Sequence, residues 1–342
     1  MHHSKATEQA PTRFDILTHP SPEKKSHAHD QCNNKMKSSM NNLATNFVKM
    51  HGAGNDYVYI DCFDEPVPPD PAGLAIWIAD RHCGVGGDGL VLVLPSTHAA
   101  ARMQMFNIDG SESEMCGNGV RCVAHLVVAR GHASEGAVTI ETGRGILSLE
   151  VQRTGVRSSL VRVDMGSPFL AAADIPVIVT PGTASESAIV DAPCEALVAA
   201  EAWWGGAGLD PRMTCISMGN PHVIFYCRDV AKVPLETVGP RIEQHPMFPR
   251  RVNVHFVQVL SPRAVRMRTW ERGSGITQAC GTGASAVCAA GVLSGRTERR
   301  IIAEVPGGSL ELEWAADGHL FMTGPAQEVF TGTVFAETPC VG

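Results

Sequence analysis

Two cysteines in closely similar surroundings are the residues of this chain best suited to chemistry. Cys116 lies in MCGNGVRC and Cys280 lies in ACGTGASAVC, so each opens a Cys-Gly-x-Gly segment followed by small and apolar residues. A thiolate can accept a proton and a thiol can deliver one, so two thiols facing one carbon atom could do both. The repeat therefore predicts two related halves whose cysteines converge on one site and move a proton across a carbon centre.

The residues after each cysteine indicate a helix that begins at the thiol. After Cys116, apolar residues recur at intervals of three and four until Gly131, and the second copy ends similarly at Gly295. At a helix N-terminus, free backbone amides and the helix dipole lower a thiol's pKa and can hold a carboxylate. We therefore expect Cys116 and Cys280 at the N-termini of two equivalent helices.

Short strand-like runs between Gly-rich turns fill the rest of both halves. Examples are YVYID, MQMF and ILSLEV in the first half, and HVIFY, VNVHFVQV and LELEW in the second. These runs predict an α+β fold of two pseudo-symmetric domains. Each domain is expected to be a mostly antiparallel or mixed sheet curled around a central helix, with the active site in the cleft between them.

The domain boundaries follow from composition and from the repeat. Residues 1–45 are rich in His, Lys, Asn, Ser and Pro and lack apolar periodicity, which predicts a disordered or mis-started extension. The first half is expected over 46–165, with the tail 330–342 packed on it. The second half is expected over 166–329.

Composition narrows the class of partner. The 342 residues are 44% hydrophobic and 18% charged, as is usual for a globular protein. A net charge of -7 without a long Lys/Arg run argues against nucleic-acid binding, and no membrane span is visible. The sequence thus favours a small-molecule partner, with neither nucleic acid nor membrane.

The cysteine count indicates a compartment and disfavours a metal site. Eleven cysteines is an odd number, and no secretory signal peptide is apparent at the start. We therefore expect a cytoplasmic location. No Cys-x-x-Cys pair occurs in the sequence, so we predict no metal.

Asparagines in turns form a second group of candidate residues. An asparagine in a Gly-rich turn usually only caps the backbone, but several beside two reactive thiols could hold an amino acid's ammonium and carboxylate groups. The four such residues are Asn55, Asn107, Asn220 and Asn253.

Taken together, these segments resemble the diaminopimelate epimerase family. The resemblance lies in MHGAGNDYV, DRHCGVGGDG, FNIDGSESEMCGNGVRC, MGNPHV, RVNVHF and WERGSGITQACGTGASA, and it covers nearly everything after residue 46. It implies an isomerase that interconverts LL- and meso-diaminopimelate, a diamino dicarboxylate, in lysine and peptidoglycan precursor biosynthesis. It also implies that the enzyme needs no cofactor and forms a homodimer.

The resemblance further implies a role for individual residues. Cys116 and Cys280 would act as base and acid on opposite faces of the substrate's α-carbon, while His222 and Glu271 would tune the two thiols. The residues implied to bind substrate are Asn55, Asn107, Gly117, Asn118, Asn220, Asn253, Glu271, Arg272, Gly281 and Thr282. Two positions depart from the family pattern: Gly89 stands where glutamine is common, and Phe330 stands where a tyrosine is associated with dimer contacts.

Three alternatives stay open at this point. A proline or hydroxyproline racemase or epimerase shares the two-thiol scaffold, but usually has His where this chain has Asn118, and has no need of a charged clamp such as Glu271-Arg272. A cysteine hydrolase would use Cys116 with His222 as base and would leave the second cysteine motif unexplained. A binding protein without activity would have no reason to place two thiols at anion-binding helix starts.

Overall fold

Strands dominate the computed structural model, which describes residues 43–113, 117–178, 186–194, 197 and 202–336. The strands in this part of the chain are β1 (Leu43–Gly52), β2 (Asn55–Asp61), β3 (Gly89–Leu94), β4 (Ala101–Asn107), β5 (Glu112–Ser113), β6 (Gly136–Thr142), β7 (Gly145–Gly155), β8 (Ser158–Asp164), β9 (Ile189–Pro193), β10 (Leu209–Ser217), β11 (Pro221–Cys227), β12 (Asn253–Ser261), β13 (Ala264–Glu271), β14 (Gly275–Ile276), β15 (Arg300–Val305), β16 (Gly308–Trp314) and β17 (Leu320–Ala336). The α-helices are α1 (Pro71–Ala79), α2 (Gly117–Ala129), α3 (Ala202–Ala207), α4 (Leu235–Glu243) and α5 (Gly281–Leu293).

The order of strand pairings is the same in the two halves. From β1 to β8 the successive pairs are β1–β2, β2–β3, β3–β4, β4–β5, β4–β6, β6–β7 and β7–β8. From β10 to β17 the corresponding pairs are β10–β11, β11–β12, β12–β13, β13–β14, β13–β15, β15–β16 and β16–β17. In both series the second and fifth pairs are parallel and the others antiparallel. This duplication confirms the predicted α+β class with pseudo-symmetric halves.

The halves are joined through their last strands. β17 pairs antiparallel with β8, from Phe321 opposite Asp164 to Gln327 opposite Ser158, and β17 also pairs with β1. Residues Ala44–Ala336 form one compact unit. The boundary at 165/166 therefore stays a prediction, and the extension over residues 1–42 and the end of the tail, 337–342, lie outside the described residues.

Both predicted central helices are confirmed. α2 ends at Ala129, two residues before Gly131, and α5 ends at Leu293, two residues before Gly295; both glycines have a positive φ, as helix-terminating glycines commonly do. Side chains of both helices are buried in one apolar cluster with strands from each half. The strands around α2 alternate in burial, as β8 does with Val161 and Val163 pointing inward.

Two of the remaining helices, α1 and α4, connect the strands of parallel pairs. α1 lies between β2 and β3, and α4 lies between β11 and β12, because parallel neighbours need a crossover connection. Asp70 caps α1 by accepting a hydrogen bond from Gly73 N at 2.9 Å. In the part of the chain that the structure describes, no helix has the length and apolarity needed to cross a membrane.

Candidate active site

The N-termini of α2 and α5 are in contact. Asn118 on the first turn of α2 donates from Nδ2 to the carbonyl oxygen of Ala279 at 2.9 Å. A Cβ built on Gly117 would lie 3.9 Å from the Cα of Gly281. Because each helix start carries free amides and a positive dipole end, their meeting point favours a bound anion or developing negative charge. Cys116, which precedes Gly117, lies outside the described residues.

Cys280 is the N-cap of α5 and is 3% exposed. Its sulfur lies 3.7 Å from Thr282 Oγ1, and the carboxylate of Glu271 is close enough for its charge to act on the thiol. Burial, reinforced by the negative charge of Glu271, raises the pKa of the Cys280 thiol well above its ordinary value. Burial likewise raises the pKa of Glu271, which also accepts a hydrogen bond from Thr277 Oγ1 at 2.5 Å. Burial therefore favours the neutral, protonated form of both groups.

His222 lies fully buried on β11. Its Nε2 is 3.0 Å from Asn220 Oδ1, and its Nδ1 is 2.9 Å from Nε2 of His255. Burial, followed by the neighbouring His255, lowers the pKa of His222 well below its usual value, so the ring is neutral. Asn220 Nδ2 in turn donates to Thr282 Oγ1 at 3.3 Å, which places His222 two side chains away from the start of α5.

A cleft of about 970 Å³ lies between the halves and is lined by residues 272–274 and 276–278, which flank Glu271 and Cys280 in the sequence. Three of the predicted substrate-binding residues, Asn55, Asn107 and Arg272, line it. Asn253 is buried: its Oδ1 accepts from Arg272 N at 2.9 Å and its Nδ2 donates to Pro221 O at 3.0 Å. The structure thus gives Asn253 a supporting place beneath Arg272.

One buried acceptor lies between the helix starts. Asn118 is 2% exposed, and its Oδ1 has no hydrogen-bond donor among the described residues. The Cβ that Gly281 lacks would lie 3.6 Å from this oxygen. A buried amide oxygen without a partner carries a free-energy cost that a bound ammonium or N–H group would remove.

Sequence reasoning missed a charged cluster on the wall of the cleft. Asp56 pairs with Lys49 at 2.6 Å and with Arg81 at 2.7 Å, and Arg81 also contacts Asp88 at 3.0 Å. Asp88 Oδ2 accepts from Asn55 Nδ2 at 2.5 Å, and burial raises the pKa of Asp88. The sequence feature that could have predicted this cluster is a pair of aspartates in Gly-rich turns, Asp56 next to Asn55 and Asp88 in GGDG.

His255 was missed as well. It lies in RVNVHF two residues after Asn253, and successive side chains on a strand alternate between faces. The alternation of side chains along a strand was therefore enough to predict that His255 lies on the same face as Asn253. In the parallel β11–β12 pair, Asn253 is opposite His222 and His255 is opposite Ile224, so the two histidines meet diagonally.

The structure shows the surroundings of Gly89 and Phe330, the two positions that depart from the family pattern. Gly89 has φ +151, and a Cβ there would lie 2.1 Å from Phe106 O, so this backbone excludes a glutamine. Phe330 is 45% exposed and meets Phe47 edge-on, with ring centroids 5.9 Å apart.

Known proteins similar to this chain match it over most of its length. The family model described as diaminopimelate epimerase matches residues 47–170 and 214–329. A diaminopimelate epimerase of Moorella thermoacetica is 49% identical over 287 residues, 84% of this chain and 98% of that protein. One from Methanococcus maripaludis is 44% identical over 289 residues, 84% of this chain and 99% of that protein.

Solved structures show the same fold at low sequence identity. A phenazine biosynthesis protein of the PhzF family from Bacillus anthracis has a TM-score of 0.62 at 17% identity, covering 86% of this chain and 99% of that one. A hydroxyproline epimerase from Agrobacterium vitis has a TM-score of 0.54 at 18% identity, covering 85% of this chain and 91% of that one. These likenesses concern the fold.

Proposed function

The chain belongs to the diaminopimelate epimerase family, and from that premise we propose that it exchanges the α-proton of its substrate between Cys116 and Cys280 without a cofactor. The protein is an isomerase of lysine biosynthesis, interconverting LL- and meso-diaminopimelate. The observation that carries the mechanism is the carboxylate of Glu271 acting on the buried Cys280 thiol, at the point where the two helix N-termini meet.

The proton is removed by one cysteine and returned by the other. With Glu271 accepting the thiol proton, Cys280 becomes the thiolate that attacks the α-hydrogen, while Cys116 delivers a proton to the opposite face; the reverse direction exchanges these roles. The pKa of Cys280 is raised, so its thiolate is a strong base once formed. A strong base is needed because the α-hydrogen of an amino acid is only weakly acidic.

The carbanion is the high-energy species in this scheme. Backbone amides at the starts of α2 and α5, including those of Gly117, Gly281 and Thr282, can bind the α-carboxylate as its negative charge grows. The buried Oδ1 of Asn118 can accept a hydrogen bond from the α-ammonium, which supports the same placement. Water excluded from this buried point cannot reprotonate the intermediate at random.

The cleft suits the far end of a diamino dicarboxylate. That end carries an ammonium and a carboxylate, so it needs groups of both signs. Arg272 provides a cation, and the aspartates of the charged cluster provide anions. Asn55 and Asn107 add amide contacts on the same wall, while Asn220 and Asn253 hold Thr282 and Arg272 in position. A proline-type monocarboxylate has no second ammonium and carboxylate to interact with these charged and amide groups.

We further propose a cytoplasmic homodimer. Val329, Phe330 and Phe335 are exposed apolar side chains on β17, at 47%, 45% and 61%. Clustered exposed apolar side chains are typical of association surfaces. Sedimentation of the purified protein, compared with a Phe330→Asp, Phe335→Asp variant, tests this assembly: the wild type is expected to sediment as a dimer and the variant as a monomer.

The reaction is tested by incubating reduced protein with LL-diaminopimelate in deuterium oxide, beside L-proline and trans-4-hydroxy-L-proline. We expect α-deuteration and epimerisation of diaminopimelate alone, with both lost in Cys116→Ala and in Cys280→Ala. Turnover of a proline substrate would show instead that the protein is a proline or hydroxyproline racemase or epimerase. An active single-cysteine variant would refute the two-thiol mechanism.

A further inference from the structure

A row of hydrogen-bonding side chains, buried at its β13 end and partly exposed at Asn220 and Thr282, extends from β13 to the sulfur of Cys280. It begins at Thr269, whose Oγ1 is 2.9 Å from Nδ1 of His255, and continues through His222 and Asn220 to Thr282. Thr282 Oγ1 is 3.7 Å from Cys280 Sγ. Thr269, His255 and His222 are all at most 4% exposed. Bulk solvent therefore cannot set the direction of the bonds that join these three residues.

The chemistry of each member sets the direction instead. Asn220 Oδ1 can only accept, so Nε2 of His222 must carry the proton. Because the His222 ring is neutral, its Nδ1 is then an acceptor, and the bond at 2.9 Å requires N–H on Nε2 of His255. Burial lowers the pKa of His255 to about 3, so its Nδ1 is bare and accepts from the hydroxyl of Thr269.

The amide group of Asn220 and the hydroxyl of Thr282 continue the row toward Cys280. With Oδ1 occupied by His222, the Nδ2 group donates to Thr282 Oγ1. A hydroxyl that accepts on its oxygen keeps its own hydrogen free, and the neighbouring acceptor is Cys280 Sγ. A donor on sulfur stabilises the thiolate and lowers the thiol's pKa, opposing the effects of burial and of Glu271.

His255 also packs against the helix that carries this cysteine. A Cβ on Gly283 would lie 2.3 Å from Cε1 of His255, so the ring occupies the space that a side chain would need. Gly283 lies in the first turn of α5, the helix that Cys280 caps. Two separate contacts of His255, the hydrogen bond to His222 and the packing on Gly283, therefore lead to the same sulfur.

We propose that His255 is a positioning residue for the Cys280 thiolate: its Nε2–H fixes the tautomer of His222, which orients Asn220 and turns the Thr282 hydroxyl toward the sulfur. This role deepens the proposed function and rests on it for its catalytic meaning. The charged groups that face this row are Glu271 beside Cys280, and Arg272 and Arg144 acting on His222. None of the three lies between His255 and the sulfur in the hydrogen-bonded row.

The test compares His255→Leu, which cannot donate, with His255→Gln, whose side-chain amide keeps a donor near Nε2. Both are made in a Cys116→Ala background, and iodoacetamide modification of the Cys280 peptide is followed by mass spectrometry from pH 7 to 10. We expect the leucine variant to react about tenfold more slowly at a given pH, which corresponds to a thiol pKa higher by about 1, with the glutamine variant restoring most of the rate. Equal rates and equal pH profiles in all three proteins would overturn the proposal.

Two further measurements keep the proposal testable. Nitrogen-15 spectra of the histidines should show His222 protonated on Nε2; protonation on Nδ1 would reverse the row and refute the assignment. Should the leucine variant fail to fold, Thr269→Val and its control Thr269→Ser give the same comparison, with slower modification expected only for valine. Modification needs no substrate, so a wild type that failed to epimerise diaminopimelate would refute the proposed function and leave this result readable.

Discussion

The side-chain amide of Asn118 donates to the backbone carbonyl of Ala279, 161 residues further along the chain, at 2.9 Å. This bond ties the first turn of α2 to the residue just before Cys280. It is buried, and it sets how closely the two helix starts approach each other. The spacing between the two thiol motifs is thus fixed by a direct contact between the halves.

We expect Asn118→Ala to lower the free energy of unfolding by about 1–3 kcal/mol, because it leaves a buried carbonyl without its donor. The rate of epimerisation should also fall, because the variant loses the Oδ1 atom proposed to accept a hydrogen bond from the substrate's α-ammonium. Urea denaturation beside Asn46→Ala, an exposed asparagine bonded to Glu65, provides the comparison. Equal midpoints for the two variants would show that the Asn118 bond contributes nothing.

Glu271→Gln should abolish most turnover while leaving the fold intact. Glutamine can still accept from Thr277 through its amide oxygen, but it cannot take the proton of Cys280. A loss of general-base function typically costs about 10²–10⁴-fold in rate. The measurement is α-deuteration of diaminopimelate, with Glu236→Gln, an exposed helix residue, as control. Retention of full activity in Glu271→Gln would remove this carboxylate from the mechanism.

The buried histidines predict loss of stability in acid. His255 has a folded pKa of about 3, and the pKa of His222 is also depressed, whereas both return to about 6.5 on unfolding. Between these values the unfolded chain binds more protons than the native one, so stability falls as pH drops below about 6.5. Each neutral histidine contributes a slope of up to about 1.4 kcal/mol per pH unit.

Thermal unfolding at pH 7.5 and pH 5 checks this dependence. The wild type should lose more stability between the two values than His255→Gln, whose amide does not titrate. If the wild type and His255→Gln lost the same stability between pH 7.5 and pH 5, His255 would be already protonated, or would titrate normally, in the native state.

Gly89→Gln should destabilise the protein, although relatives of this family commonly have glutamine at this position. Both the positive φ of +151 and the 2.1 Å approach of a Cβ to Phe106 O oppose any side chain here. Backbone strain of this kind costs about 1–3 kcal/mol per residue. Gly205→Ala, where a Cβ meets no atom within 4 Å, is the matched control. A variant as stable as that control would show that β3 adjusts at little cost.

Much of the fold could be predicted from the sequence. Apolar runs ended by Gly131 and Gly295 predicted both central helices, because a left-handed glycine can end a helix without steric cost. The β-strands alternated clearly enough to predict the α+β class. The shared order of strand pairings in the two halves could not be predicted in the same way, since strand partners lie far apart in the chain.

The candidate site was predicted in part. The motifs around Asn55, Asn107 and Arg272 identified groups that line one cleft. Asn253 and Asn220 were predicted to bind substrate, and that stays a prediction; the structure shows Asn253 bonded to Arg272 N and Asn220 bonded to Thr282. His255 was overlooked because a histidine in a strand is usually a packed core residue, and only its distance to His222 distinguishes it.

The sequence by itself determined which chemistry is available: two thiols predicted at helix starts, amides in turns, and small residues that let backbones approach. Those properties are local, because helix dipoles, glycine conformations and strand alternation depend on neighbouring residues. Only the tertiary structure decided that Glu271 meets Cys280 and that Asn118 reaches Ala279. Such contacts join residues separated by up to 161 positions, and burial in the folded core, which no local pattern specifies, shifts the pKa values on which the chemistry depends.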